Sequence, residues 1–165
     1  MKFAHLFKDC GIRPSALPKM SPVSAETVLL FVYGLELEGE RDHDILGGSE
    51  LVGVVRTLPR YTLVDLGVYP SLIEGGTVSV TGELYRADKQ VRFALDVKKE
   101  CPVLFRRGAV ELEGGSSAET YFMREEQVRG KRRLKQGSWK ERFAPRPRAD
   151  VGGPLVNYAR KRFLR

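Results

Sequence analysis

The stretch VLLFVYGLELEG, Val28 to Gly39, decides how the chain reads. Six apolar residues, Val28 to Tyr33, are rich in β-branched and aromatic types and stop at Gly34. That run is too short for a helix and suits a buried strand of a central sheet. Glu36, Glu38 and Glu40 follow, then Arg41-Asp-His-Asp-Ile-Leu46. A strand that ends in a glycine turn, with polar groups just beyond, can aim backbone N–H groups at an anion. The commoner case is a core strand followed by a solvated loop, so the meaning of this stretch depends on the rest of the chain.

A chain of 165 residues suits one domain with extensions and is long enough to bury a core. No apolar run approaches the roughly 20 residues of a membrane helix. The two cysteines, Cys10 and Cys101, form no CxxC pattern, which argues for a reducing compartment and against a cysteine-based zinc site. With only His5 and His43, a His-rich metal centre and a Ser-His-Asp triad both lack support, and neither a metal nor a cofactor is expected.

Charge is unevenly placed. From Arg124 to Arg165 there are 14 Lys/Arg and 4 Asp/Glu, whereas the first 123 residues hold 14 basic and 17 acidic residues. A mildly acidic body with a basic extension is a common layout for nucleic-acid attachment.

Residues 1–27 form an N-terminal extension. Phe3, Leu6 and Phe7 alternate with Lys2 and Lys8, and Asp9 is the only acid in the first 22 residues, so a short amphipathic helix is expected up to about Cys10. Two readings stand side by side: a mitochondrial targeting segment, or an extension that packs on the body or on a partner.

The body, residues 28–123, reads as mixed α and β. Asp42 to Leu46 is expected to start a short helix that stops at Gly47-Gly48. Leu51 to Leu58 and Tyr61 to Leu66 read as strands, and Val68 to Ile73, carrying Pro70, as an edge strand or turn. Gly75-Gly76 predicts a hairpin turn into Thr77 to Arg86. Asp88 is placed to cap a helix through Val91 and Leu95, and strands return at Val103 to Leu112 and Ala118 to Met123. The expected class is α+β: a small mixed β-barrel with two short helices.

The order FVYG, GERDHDIL, DLGVYPSLIEGG, VTGELYRAD, ALDVKKECPVLFRR, AETYF resembles the γ-glutamylcyclotransferase-like family over about residues 28–123. The resemblance implies a compact mixed β-barrel with a cavity at the end of the first strand. In active members the loop after the tyrosine, typically YGSL or YGTL, holds the substrate's γ-glutamyl group through backbone N–H groups. A glutamate in an LDxxEG motif then serves as general acid/base while the α-amine attacks the γ-amide and 5-oxoproline leaves.

Two departures fall on that site. Aligned on Leu95-Asp96 and Pro102 to Arg106, the family's glutamate position is Lys99 and its glycine position is Glu100. A lysine is protonated near pH 7 unless buried, so it cannot take the proton of the attacking amine. Glu100 would serve only after a one-residue slip, which turns it by roughly 100° on a helix. The substrate loop reads Tyr33-Gly34-Leu35-Glu36, with a carboxylate where the family's loop receives one. Long charged side chains usually reach solvent. The alternative is that Glu36 and Lys99 pair across the cavity and plug the old substrate site.

Residues 124–165 read as an extended basic arm interleaved with aromatics, with Pro145, Pro147, Gly152, Gly153 and Pro154 opposing a continuous helix. Arg129, Lys131, Arg132, Arg133, Lys135, Trp139, Lys140, Arg142, Arg146, Arg148, Arg160, Lys161 and Arg162 are the candidate RNA contacts. The bases neutralise phosphates, and Trp139, Phe143, Tyr158 and Phe163 offer stacking surfaces. A merely solvated run, or one drawn to an acidic membrane surface, is the competing reading.

The sequence therefore points first to a non-catalytic γ-glutamylcyclotransferase-like domain serving as a structural, RNA-binding part of a ribonucleoprotein assembly, such as an organellar ribosome. The partners would be RNA and proteins of that assembly. The alternative is an active enzyme on γ-glutamyl amines or peptides with Glu100 as acid/base, and only then a small γ-glutamyl substrate. The expected location is intracellular, with the mitochondrion favoured over the cytoplasm.

Overall fold

The computed structural model describes residues 26–143. Of the run Val28 to Tyr33, all but Tyr33 lies in strand β1 (Thr27–Val32), whose last three residues are buried. Strands β2 (Glu50–Arg56), β3 (Tyr61–Asp65), β4 (Pro70–Glu74) and β5 (Thr81–Asp88) follow. Helix α1 (Lys89–Lys98) leads to β6 (Arg106–Glu111), β7 (Ser117–Phe122) and β8 (Arg132–Leu134). The fold is mixed α+β, with the strands in one curled sheet around a single main helix.

Neighbours in the sheet run β2-β5-β1-β7-β4-β3-β8, and β6 adds to β7. The ends of β2 and β6 meet at an isolated bridge, Thr57 to Leu112. That contact curls β2, β5, β1, β7 and β6 into a ring and buries Leu30, Val80, Val110 and Leu112. β7 meets β1 and β4 in parallel at single positions, Leu30 with Glu119 and Leu72 with Phe122, so this strand carries the join between ring and outer strands.

Helix α1 begins where the sequence capping signal lies. Asp88 accepts from the backbone N–H groups of Gln90 and Val91 at 2.9 and 2.8 Å, an N-cap of about 1 kcal/mol. Leu95 faces the core, while Phe93 and Val97 face outward. The other expected helix is a single 3-10 turn, His43–Leu46, ended by Gly47.

Three expectations change. β4 is not an edge strand, because it lies between β3 and β7 with Pro70 as its first residue, where no ladder N–H is needed. Gly75-Gly76 joins no hairpin of β4 with β5. Both glycines donate their N–H groups to the Arg60 carbonyl, and β5 pairs instead with β1 and β2. A side chain at Gly76 would sit 2.1 Å from the Tyr61 carbonyl, so only glycine lets the chain pass this close.

The third change concerns the arm. Residues 124–143 belong to the folded body: β8 pairs with β3, and Val128, Leu134 and Trp139 are buried. Apolar residues spaced through the basic run supply the anchorage that charge counting hides. The part of the expected arm from 144 onward, like residues 1–25, lies outside the described residues.

Candidate functional site

β1 runs out of the core into the Tyr33–Glu40 loop. Tyr33 is buried, and its hydroxyl donates to the Tyr121 carbonyl at 2.6 Å and accepts from the Leu72 N–H at 3.1 Å. Burial first, then the nearby Glu36 charge, push its phenol far above the ordinary tyrosine value, opposed by the Leu72 hydrogen bond. Tyr33 thus ties the loop to β4 and β7. Gly34 follows because Pro70 Cγ would lie 2.7 Å from any Cβ there. The loop is closed by Leu37 N–H to the Gly34 carbonyl and Asp42 N–H to the Leu35 carbonyl, while His43 Nδ1 sits 3.0 Å from the Glu36 carbonyl.

Across from the loop stands the end of α1. Lys99 is the helix C-cap, its N–H donating to the Leu95 carbonyl, and Glu100 takes the left-handed conformation with φ 48°. The Lys99 ammonium lies 2.6 Å from Glu36 Oε1, with side-chain exposures of 12% and 4%. Its approach is oblique, so Oε1 gains the opposite charge without an aligned hydrogen bond. The ammonium also lies 5.1 Å from the centre of the Phe105 ring.

Phe31, Val32, Tyr33, Glu36, Leu95, Lys99, Thr120 and Tyr121 line a small hollow between loop and helix end, about 10 Å³. That is no more than the roughly 10–15 Å³ one water requires. Larger hollows lie elsewhere, about 590 Å³ beside Arg60, Glu74 and Gly76 and about 320 Å³ beside His43, Gly47 and Tyr85. Glu100 is exposed and lines none of them.

Sequence reasoning assigned no role to Thr120 or Tyr121: the period-2 pattern of AETYF puts Ala118, Thr120 and Phe122 on the core side and gives no signal for Tyr121. Thr120 donates to the Phe31 carbonyl at 2.7 Å. Tyr121 donates to Asp96 at 2.7 Å, and Asp96 also pairs with Arg107. Burial and the Asp96 carboxylate raise the Tyr121 phenol far above its usual value. Arg92 and Arg107 both reach Glu119, which completes a polar cluster behind the cavity.

The candidate RNA contacts divide. Trp139 is buried with the Arg142 guanidinium 4.2 Å above its ring, so it is not free to stack on a base. Lys140 pairs with Glu83 at 3.0 Å, Arg142 with Glu40 at 3.1 Å, Arg132 with Asp65 at 3.6 Å, and Arg133 with Glu125. Four of the expected cations are therefore engaged by acids of the folded chain. Arg129, Lys131 and Lys135 are exposed and make no ion pair among the described residues. Arg146, Arg148, Arg160, Lys161 and Arg162 lie outside the described residues, as do Tyr158 and Phe163.

Glu83 marks where this segment meets the site loop. Burial alone would raise its pKa, but the Glu38 N–H, Lys140 and Tyr85 hydroxyl outweigh that and hold it below the usual glutamate value.

The sequence profile of the family described as "Gamma-glutamyl cyclotransferase, AIG2-like" matches residues 30–141. The chain belongs to this family. The match runs past Met123, in keeping with the packing of residues 124–143 on the barrel. A Vibrio cholerae protein called a putative gamma-glutamylcyclotransferase is 43% identical over 89 residues, 54% of this chain and 76% of that protein. A zebrafish (Danio rerio) gamma-glutamylaminecyclotransferase A is 30% identical over 106 residues, 57% of this chain and 66% of that protein. The crystal structure of a uropathogenic E. coli-specific protein superposes with a TM-score of 0.62 at 25% identity, covering 70% of this chain and 94% of that one.

Among the described residues no three or more His, Cys, Asp or Glu side chains are placed to hold a metal, and no helix is long and apolar enough to cross a membrane.

Proposed function

We propose that this member of the γ-glutamylcyclotransferase family is non-catalytic and serves as a binding component of an assembly. The observation that carries the reading is the Glu36–Lys99 pair in a cavity of about 10 Å³. A γ-glutamyl group has no room there, and the ammonium at position 99 has no lone pair with which to take a proton from the attacking amine. The helix end supports the alignment behind this. A left-handed residue just past a helix is the usual place of glycine, and the family's glycine position falls on Glu100, which has φ 48°. The test is release of 5-oxoproline from γ-glutamyl dipeptides and γ-glutamylamines, with none expected. Turnover by the unaltered protein would defeat the reading.

RNA is the partner that best suits the charge distribution. Its support is the exposed trio Arg129, Lys131 and Lys135, and residues 144–165, which hold six Lys/Arg against one Asp. Deleting residues 144–165 while leaving the packed segment intact is expected to weaken RNA binding and flatten its salt dependence. Equal binding by the shortened chain would remove RNA from the proposal.

A second reading rests on the names of the relatives, which are called cyclotransferases. Under it a carboxylate has moved across the cavity, and Glu36 rather than Glu100 acts as acid/base once the loop opens. Activity that is lost in Glu36→Gln and kept in Glu100→Gln would establish that version.

A further inference from the structure

One edge of the sheet is both open and apolar. β2 pairs only with β5, and its outer edge from Glu50 to Val55 meets no other strand among the described residues. The edge closes at Arg56, whose carbonyl accepts from the Glu113 N–H. An open strand edge is a row of N–H and C=O groups ready to pair with a further strand. Side chains alternate along a regular strand, yet Leu51, Val52 and Val54 are all exposed, at 44%, 47% and 69%. The cause is a bulge: the register with β5 passes from Leu51 directly to Gly53, so Val52 is an extra residue. β8, at the other end of the sheet order, presents exposed Arg132 and Arg133, the kind of charge that guards an edge. β2 carries no charge between Glu50 and Arg56.

We infer that this edge is the contact between two copies of the chain, with β2 antiparallel to β2 of the second copy. The order of charges selects the occupant. The strand reads ELVGVVR, with Glu50 at one end, Arg56 at the other and apolar residues around Gly53 between them. Its electrostatic complement is a strand with a base beside Glu50 and an acid beside Arg56, and β2 itself, turned end for end, supplies both. Arg56 makes no ion pair among the described residues. Glu50 holds Arg86 in an exposed pair at 2.9 Å, which leaves its carboxylate accessible to a second base. Leu51, Val52 and Val54 of one copy then lie beside the same three residues of the other, and their apolar surface leaves water. A two-fold contact makes each interaction twice and occupies the same edge on both copies, so the assembly closes at two. The inference holds whether or not the cavity site catalyses.

The test is sedimentation of the full chain, whose mass is expected to rise from one chain to two with concentration. Val54→Lys puts an ammonium into the apolar middle of the contact and is expected to weaken association several-fold. Arg56→Glu and, separately, Glu50→Arg set like charges against each other at both ends, and each is expected to weaken it too. Mixed together, these two charge variants are complementary, and dimers holding one of each are expected to form about as tightly as those of the parent. The charge variants, at exposed positions, keep the test decisive if Val54→Lys does not fold. A single-chain mass at every concentration would overturn the proposal. So would a dimer that both charge variants leave intact, or a mixture that fails to re-associate. A chain that pairs only after residues 1–25 or 144–165 are deleted would overturn it in favour of that segment as the added strand.

Discussion

Two lysine–glutamate pairs make an instructive comparison. Glu36 and Glu83 are both almost fully buried, at 3% and 4% exposure, and each faces one lysine. Glu83 also accepts from the Glu38 N–H and the Tyr85 hydroxyl, and its partner Lys140 is half exposed. Among the described residues the Glu36 carboxylate has Lys99 alone, and Lys99 is itself mostly buried. The Glu83 charge is solvated by the protein and uses Lys140 as an addition. The Glu36 charge depends on a single partner, because a charge left alone in a dry interior is costly. Equal burial therefore does not mean equal dependence on the ion pair.

The sharpest way to break the comparison is Lys99→Met, which keeps much of the volume and removes the charge. It is expected to cost about 3–5 kcal/mol in urea unfolding, since Glu36 is left buried and unpaired. A cost below about 1 kcal/mol would mean that water reaches Glu36 and that the site is not closed. Removing both charges with Glu36→Leu and Lys99→Met is expected to leave stability unchanged or raise it by up to about 4 kcal/mol. The double variant should therefore be more stable than the single one.

The next test concerns Glu83, whose folded-state pKa lies below its unfolded value. Its contribution is present above the unfolded pKa of about 4.3 and fades as the pH falls through the lower folded value. Unfolding midpoints measured from pH 5 downward are expected to fall less steeply in Glu83→Gln than in the parent. An identical slope would show that Glu83 is not a preferentially stabilised carboxylate. The smallest effect is expected from Lys140→Met, within about 1 kcal/mol, because its ammonium is half in water and Glu83 keeps two other donors. A loss as large as that of Lys99→Met would erase the distinction between the two pairs.

Several elements were legible from local sequence because their causes are local. The apolar run before Gly34 became β1 up to Val32, and Asp88 capped α1 through the N–H groups two and three residues on. The family resemblance placed Lys99 and Glu36 on opposite walls of one cavity, but residue types alone left open whether they met or pointed to water. Their contact depends on the Tyr33 tether to β4 and β7, on Gly34 against Pro70, and on the left-handed residue that turns the chain after Lys99. Strand partners were also beyond local reading. Period-2 alternation marks a buried face but carries no information on which strand lies alongside, so β4 and β5 read as a hairpin although each pairs elsewhere. The basic segment shows the same limit most plainly. Its charge and aromatic content were visible in the sequence, whereas its role in the fold was set by acids distant along the chain. Glu40 meets Arg142, Glu83 meets Lys140 and Asp65 meets Arg132 only because the barrel gathers them, and Trp139 becomes a core residue instead of a stacking surface.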